Sequence, residues 1–206
     1  MPQPTHISVL GVPDPATLDD DLKIIWAKCV EKLGFVPNVF STFSKKPQRL
    51  RNFMAMYNEI MYSASGLSKL EREMIAVVVS SANRCFYCLV AHGAAVRQLS
   101  GDPELGEMMA LNYRVAKLDA RQRAMLDYAW KLTTTPNLVD DADRDLLRGV
   151  GLSDEDIFDL SETTAFFNLS NRMASATDMM PNPEYHRSDR GPGFVPPVGK
   201  PKAKKG

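Results

Sequence analysis

A chain of 206 residues with 44% hydrophobic and 24% charged content can bury a substantial core, which excludes disorder throughout and makes one domain the first expectation. Its 25 basic and 25 acidic side chains cancel, but residues 187–206 carry six Lys/Arg against one acid, a charge of +5 that leaves −5 on residues 1–186, and an acidic body is a poor nucleic-acid binder. No run approaches the roughly 18 uninterrupted apolar residues of a membrane span, and Met1-Pro2-Gln3-Pro4-Thr5-His6 opens with neither basic residues nor an apolar stretch, so the reading is a cytoplasmic protein with no membrane or nucleic-acid partner.

In chain order, Leu22, Ile25, Trp26, Cys29, Val30 and Leu33 recur at helical spacing behind Thr17 and Asp19-Asp20-Asp21, and Gly34 stops the run. Cys29 reads as a core position of that stripe. Pro47 suits the first turn of the next helix, which carries Leu50, Phe53, Met54, Tyr57, Ile60 and Met61. Ser68-Lys69-Leu70-Glu71 has the form of a capping box, and Asp102-Pro103, Asp119 to Gln122, Asp140-Asp141 and Ser153 to Asp156 repeat the same start signal. Methionines follow the apolar periodicity and read as core or interface. Asn168, Asn171, Arg172 and Asp178 punctuate an otherwise small and apolar last helix, where helix–helix hydrogen bonding is their default role. No convincing alternating strand occurs. The class is all-α, an orthogonal or bundled multi-helix packing, with residues 1–186 as a single helical domain and the Pro-, Gly- and Lys-rich residues 187–206 as a disordered tail.

The chemistry concentrates between Glu71 and Leu99. Met74 to Val79 is apolar all round and predicts a buried helix with Glu73 at its lip. Ser80-Ser81-Ala82-Asn83 then interrupts. These are poor helix-interior residues and good caps, so a second helix is expected to begin near Cys85, capped by Asn83 or Ser81, with Cys85 in its first turn. There the free N–H groups and the positive end of the helix favour a thiolate. At 3.6 residues per turn Cys85, Cys88 and His92 fall within an arc of roughly 60°, so two thiols and an imidazole share one face. If the break folds the chain back, the Glu73 carboxylate can reach the cysteine-bearing turn.

Three cysteines in a long chain make no disulfide framework, and two of them three apart suggest catalysis or metal binding. A single helix face is a poor zinc site, because tetrahedral sites draw ligand pairs from separated segments, so the thiol-redox reading is preferred. His6 and His186 lie in terminal segments and read as solvated.

The run Glu73-(x)6-Ser80-x-x-Asn83-x-Cys85-x-x-Cys88-x-x-x-His92 resembles the signature of the alkylhydroperoxidase D-like proteins of the carboxymuconolactone decarboxylase superfamily. The flanks, Gly34-Phe35-Val36-Pro37-Asn38 and Phe166-Phe167-Asn168 with Asn171-Arg172, resemble the branch called peroxidase-related enzymes. The resemblance covers roughly residues 7–186. It implies an AhpD-like helical fold, a homo-oligomer and an antioxidant, peroxiredoxin-like reduction of organic or hydrogen peroxides by the cysteine pair; no cofactor and no metal are expected. In those terms Cys88 attacks the peroxide, Cys85 resolves the sulfenic acid as a disulfide, Glu73 and His92 relay protons, and an external dithiol of lipoyl or thioredoxin type restores the pair. The position before the second cysteine, a histidine in the best-studied members, is Tyr87 here. Three other classes remain open: a dithiol–disulfide exchanger or redox sensor that handles no peroxide, a lactone decarboxylase-like enzyme, and a metal-binding interaction module.

Overall fold

The computed structural model describes residues 3–190. Among them the chain forms nine α-helices and no strand: α1 (Asp20–Leu33), α2 (Asn38–Phe43), α3 (Pro47–Tyr62), α4 (Lys69–Ala82), α5 (Phe86–Ser100), α6 (Pro103–Asn112), α7 (Ala120–Thr134), α8 (Asp141–Gly149) and α9 (Asp154–Ala176). None of these is long and apolar enough to cross a membrane. Four helix starts are set by reciprocal capping boxes, with Ser68, Asp119, Asp140 and Ser153 each accepting from a backbone N–H three residues on while that residue's side chain accepts in return. Asp102 caps α6 with Pro103 in its first turn. These local signals fix where the helices begin, and packing then decides which faces meet.

The central element is α4, in which every residue from Glu71 to Ser80 is buried. It packs against α5, α6, α7 and α9, so no face is left for solvent. Ile75, Val77, Val78 and Val79 are fully buried, and each such side chain contributes about 1.5–3 kcal/mol of hydrophobic stabilisation. In its first turn Glu71 accepts from Arg121 of α7 at 3.0 Å and Arg72 donates through Nη2 to Ser63 O at 2.9 Å, while the buried Arg72 Nε has no partner among the described residues.

The α1 stripe does not go inside as a whole. Leu22 is buried, but Val30 and Leu33 each keep 52% of their surface exposed and Cys29 is half-buried. The reason is position: α1 lies at the rim of a cavity that Cys29 and Leu33 help to line, so the core expectation for Cys29 is corrected to a cavity-wall residue.

At the other end the chain folds back on α5. Buried Arg97 donates to Tyr185 O and Ser188 O, both at 2.9 Å, and Arg190 pairs with Glu107 at 2.7 Å. Residues 187–190, the first of the segment read as a tail, make these contacts; 191–206 lie outside the described residues. Asp178 falls beyond the end of α9 and accepts from His6 at 2.9 Å, which ties the N-terminal segment to that end and removes Asp178 from the polar set of the last helix.

The expected capping of α5 is also corrected. Helix α4 runs through Ser80, Ser81 and Ala82, Asn83 is its C-cap, and Cys85 itself is the N-cap of α5. The reversal is a Schellman turn: Arg84 N–H donates to Ser81 O at 3.1 Å and Cys85 N–H to Ser80 O at 2.9 Å, with Arg84 in the left-handed region at φ 53°. Glycine is usual at that position because a Cβ costs about 1–2 kcal/mol there. Arg84→Gly is therefore expected to leave stability unchanged or raise it by up to about 1 kcal/mol, whereas Arg84→Val lowers it by about 1 kcal/mol or more, read as paired urea-denaturation midpoints.

Candidate active site

The turn at 83–85 makes α4 and α5 antiparallel neighbours, and this brings the four residues singled out in the sequence into one region. Glu73, buried near the start of α4, meets His92 of α5 with Oε2 2.7 Å from Nδ1. A carboxylate only accepts, so Nδ1 carries the proton and Nε2 is the nitrogen left for other chemistry. Phe167 of α9 sits edge-on to the imidazole with ring centroids 4.6 Å apart, which fixes the ring plane.

One turn earlier on α5 are the two thiols, both reduced and both buried. Each acts on the other, and their environments differ. The Cys85 thiol is held below its ordinary value, first by the hydrogen bond from Cys88, then by the N–H groups of Cys88 and Tyr87 and the nearby His92, against a raising effect of burial. Its sulfur makes no close capping bond to the helix start, so the N–H groups act on it as oriented dipoles. Cys88 is pushed well above its ordinary value by the same shared proton, by burial and by the charge on Cys85. Only Asn171 and Ser170 of α9 act in the opposite direction. Cys85 is therefore the more acidic of the two thiols.

A cavity of about 270 Å³ opens beside this group. Phe40, Phe53, Phe166 and Phe167 give it an apolar wall, and Tyr57, Tyr62 and Tyr185 bring phenols to it. Burial and the Glu73 charge push the Tyr57 and Tyr185 phenols upward, so both stay neutral. No Lys or Arg lines it among the described residues; its one acid is Glu73. Neither Cys85 nor Cys88 lines it, but Tyr87, His92 and Ser170 do, so the sulfurs lie one side chain behind the wall. Tyr87, in place of the family histidine, is buried and accepts from the Val39 N–H at 3.1 Å, which pins the start of α2 over the thiols. No group of three or more His, Cys, Asp or Glu arranged to hold a metal ion occurs among the described residues.

The profile of the Carboxymuconolactone decarboxylase family matches residues 47–129, the span from α3 through most of α7. The structure resembles an uncharacterized peroxidase-related protein from Silicibacter sp. TM1040, with 56% identity over 92% of this chain and 100% of that one and a TM-score of 0.88. The chain belongs to the AhpD-like branch of this superfamily. A second AhpD-like structure, described as an alkylhydroperoxidase AhpD core and an uncharacterized peroxidase-related protein from Ralstonia eutropha JMP134, shares 44% identity over 92% of this chain and 100% of that one, with a TM-score of 0.89. The debrominase Bmp8 shares the fold at 21% identity, with a TM-score of 0.69 over 81% of this chain and 88% of its own. Comparison with curated proteins finds no significant match.

Sequence reasoning named Glu73, Cys85, Cys88 and His92, which the fold brings into one region, and did not place Tyr57, Tyr185 or Ser170 beside them. The phenols carry no motif and reach the cavity only because α3 and the segment after α9 close over α5. With Cys85 the more acidic thiol, alkylation of the reduced AhpD-like protein at neutral pH is expected to label Cys85 at least about tenfold faster than Cys88, and the gap to narrow as pH rises and Cys88 ionises. Time-resolved peptide mapping by mass spectrometry reads both rates.

Proposed function

We propose that the protein is a thiol-dependent peroxidase that reduces neutral organic hydroperoxides. The observation that carries this reading is a buried Cys85–Cys88 pair placed beside a hydrogen-bonded imidazole–carboxylate pair at the edge of an apolar cavity. AhpD-like relatives described as peroxidase-related support it.

The steps balance as follows. The Cys88 sulfur attacks the terminal oxygen of ROOH as its proton passes to the Cys85 thiolate; the O–O bond breaks, and the alkoxide takes that proton from Cys85 by way of His92 Nε2, with the imidazole held through Nδ1 by Glu73. The products are Cys88–SOH, the Cys85 thiolate and ROH. The Cys85 thiolate displaces hydroxide from the sulfenic acid, giving the disulfide, and the hydroxide takes up a solvent proton and leaves as water. An external dithiol reduces the disulfide by exchange, giving one of its two protons to Cys88 and the other to solvent. Electrons thus move from dithiol to peroxide, and no cofactor takes part.

The cavity argues for the substrate's character. A carboxylate placed among Phe40, Phe53 and Phe166 would be desolvated next to Glu73 with no cation to meet it. Cumene hydroperoxide is expected to be reduced with kcat/KM at least about tenfold above that of an anionic fatty-acid hydroperoxide.

One observation favours a second reading. His92 and Glu73 line the cavity while both thiols stand behind its wall, an arrangement that would also serve proton transfer on a neutral lactone ring without thiol chemistry. The deciding measurement is hydroperoxide-dependent oxidation of a dithiol by wild type, Cys85→Ser, Cys88→Ser and Glu73→Gln. Loss in both cysteine variants, with a sulfenic acid trapped on Cys88 in Cys85→Ser, and a fall of about a hundredfold in Glu73→Gln are expected. Wild-type dithiol–disulfide exchange with no peroxide consumption would point to an exchanger, and a double Cys→Ser variant active on a lactone would favour the second reading.

A further inference from the structure

Two of the cavity's wall residues are buried and carry a hydroxyl whose proton is not committed within the protein. The first is Ser170 of α9, 6% exposed. A serine inside a helix ordinarily returns its hydroxyl to the carbonyl four residues back. The same helix does this at Ser161, Thr163 and Thr164, which donate to Ile157 O, Asp159 O and Leu160 O at 2.7, 2.7 and 2.8 Å. Ser170 has that option at Phe166 O and does not take it, and no other protein acceptor meets its Oγ among the described residues. The sealed unpaired side-chain atoms are Trp26 Nε1 and Arg72 Nε, so Ser170 Oγ keeps accessible surface, which opens on the cavity that Ser170 lines.

The second is Tyr87, 4% exposed. Its phenol oxygen accepts from the Val39 N–H at 3.1 Å, which uses a lone pair and leaves the O–H without a protein acceptor among the described residues. Val39 and Tyr87 both line the cavity, so the phenol proton is presented there. A buried donor without an acceptor is costly, and a ligand oxygen would remove that cost. The third polar group on this stretch of wall is His92. Its Nδ1–H is committed to Glu73, so Nε2 is a lone acceptor. Tyr87 precedes Cys88, and Ser170 is one turn before Ala174, which packs in the cluster of Cys85 and Cys88. Two donors and one acceptor therefore stand at the thiol end of a cavity whose remaining wall is largely aromatic.

We propose that Ser170 and Tyr87 bind the substrate's head group: their hydroxyls donate to the oxygens of a neutral –OOH group whose own proton goes to His92 Nε2, while its hydrocarbon body lies among Phe40, Phe53 and Phe166. The match is one of complementarity. A hydroperoxide brings one proton for the one acceptor and two oxygens for the two donors. A ketone or ester brings no proton to Nε2, and a carboxylate brings none and adds a charge beside Glu73. The catalytic value rests on the peroxidase reading, because charge grows on the alkoxide oxygen as the O–O bond breaks and a donor already in place strengthens there. The head-group preference rests on the hydrogen bonds alone.

The test uses the full chain carrying Cys85→Ala and Cys88→Ala, which has no thiol pair to consume peroxide. Dissociation constants for cumene hydroperoxide and for isopropylbenzene, the same body without oxygen, are read by NMR titration. Adding Ser170→Ala or Tyr87→Phe is expected to weaken hydroperoxide binding about fivefold and to leave isopropylbenzene within about twofold. Ser170→Ala breaks no bond made inside the protein, so its urea midpoint is expected to be unchanged; a hydroxyl that served the fold would lower it. An unchanged hydroperoxide affinity in either folded variant, or an equal loss for both ligands, overturns the proposal. If Tyr87→Phe does not fold, because the Val39 N–H loses its acceptor, Ser170→Ala decides. The titration involves no turnover, so a wild-type protein that reduces no hydroperoxide sinks the peroxidase reading and leaves the binding preference standing.

Discussion

The hydrogen bond between Glu73 and His92 is the constraint on which the site depends. The two residues are 19 apart in sequence and belong to different helices. Had α4 and α5 been one straight helix, the rise of about 1.5 Å per residue would have put them roughly 28 Å apart. The Schellman turn at Asn83, Arg84 and Cys85 removes that distance by reversing the chain, and the same turn leaves Cys85 at the head of α5. Position of the acid, tautomer of the imidazole and acidity of the first thiol are therefore consequences of one backbone event. The burial of α4 on all sides keeps the event fixed, since Glu73 has no solvated alternative.

The two thiols are made unequal by where they stand relative to that turn. Cys85 faces the unpaired N–H groups of a helix start, while Cys88, three residues on, is inside the first turn and surrounded by α9. A pair with equal environments would release both protons late, at an alkaline pH. An unequal pair sharing a single proton holds one sulfur as anion and the other as its donor, so the proton that must leave the attacking thiol has an acceptor in contact. The inequality follows from the spacing, two residues between cysteines being what puts one at the cap and the other within the turn, and the proposed cycle makes use of it.

Much of this was legible in the sequence, and the failures have physical causes. Capping boxes at Ser68, Asp119, Asp140 and Ser153 are local interactions, complete within four residues, and they mark the helix starts correctly. The Cys-x-x-Cys-x-x-x-His spacing fixes one helix face from 3.6 residues per turn. The turn before Cys85 was misread because Ser80, Ser81 and Asn83 all suit an N-cap, yet here they end α4; what decides is Arg84 in the left-handed region, a position at which glycine would have advertised the turn and arginine does not. The α1 stripe was misread for a different reason. Periodicity tells that a face is apolar but not what it faces, and Cys29 and Leu33 face a cavity. Tyr57, Tyr185 and Ser170 come from three separate segments and meet only through tertiary packing, so no spacing could have joined them.

The arrangement also separates two kinds of traffic. The cavity approaches Cys88 from the side of Tyr87, His92 and Ser170, and its wall is apolar and without cations. Arg84 and Phe86, the residues flanking Cys85, are exposed, with Phe86 at 53% of its free surface, so the turn that carries Cys85 is at the outside of the molecule while the sulfur itself is covered. In the proposed cycle an organic hydroperoxide and a dithiol donor must both reach the pair, and they differ in size: the first can be enclosed, the second is presented by another molecule. A resolving thiol near an exposed turn and an attacking thiol near a closed cavity let each partner approach by its own route. After the disulfide forms in that cycle, attack on the Cys85 sulfur leaves Cys88 as the departing thiolate, and Asn171 and Ser170 of α9 are the neighbours that favour its ionised form.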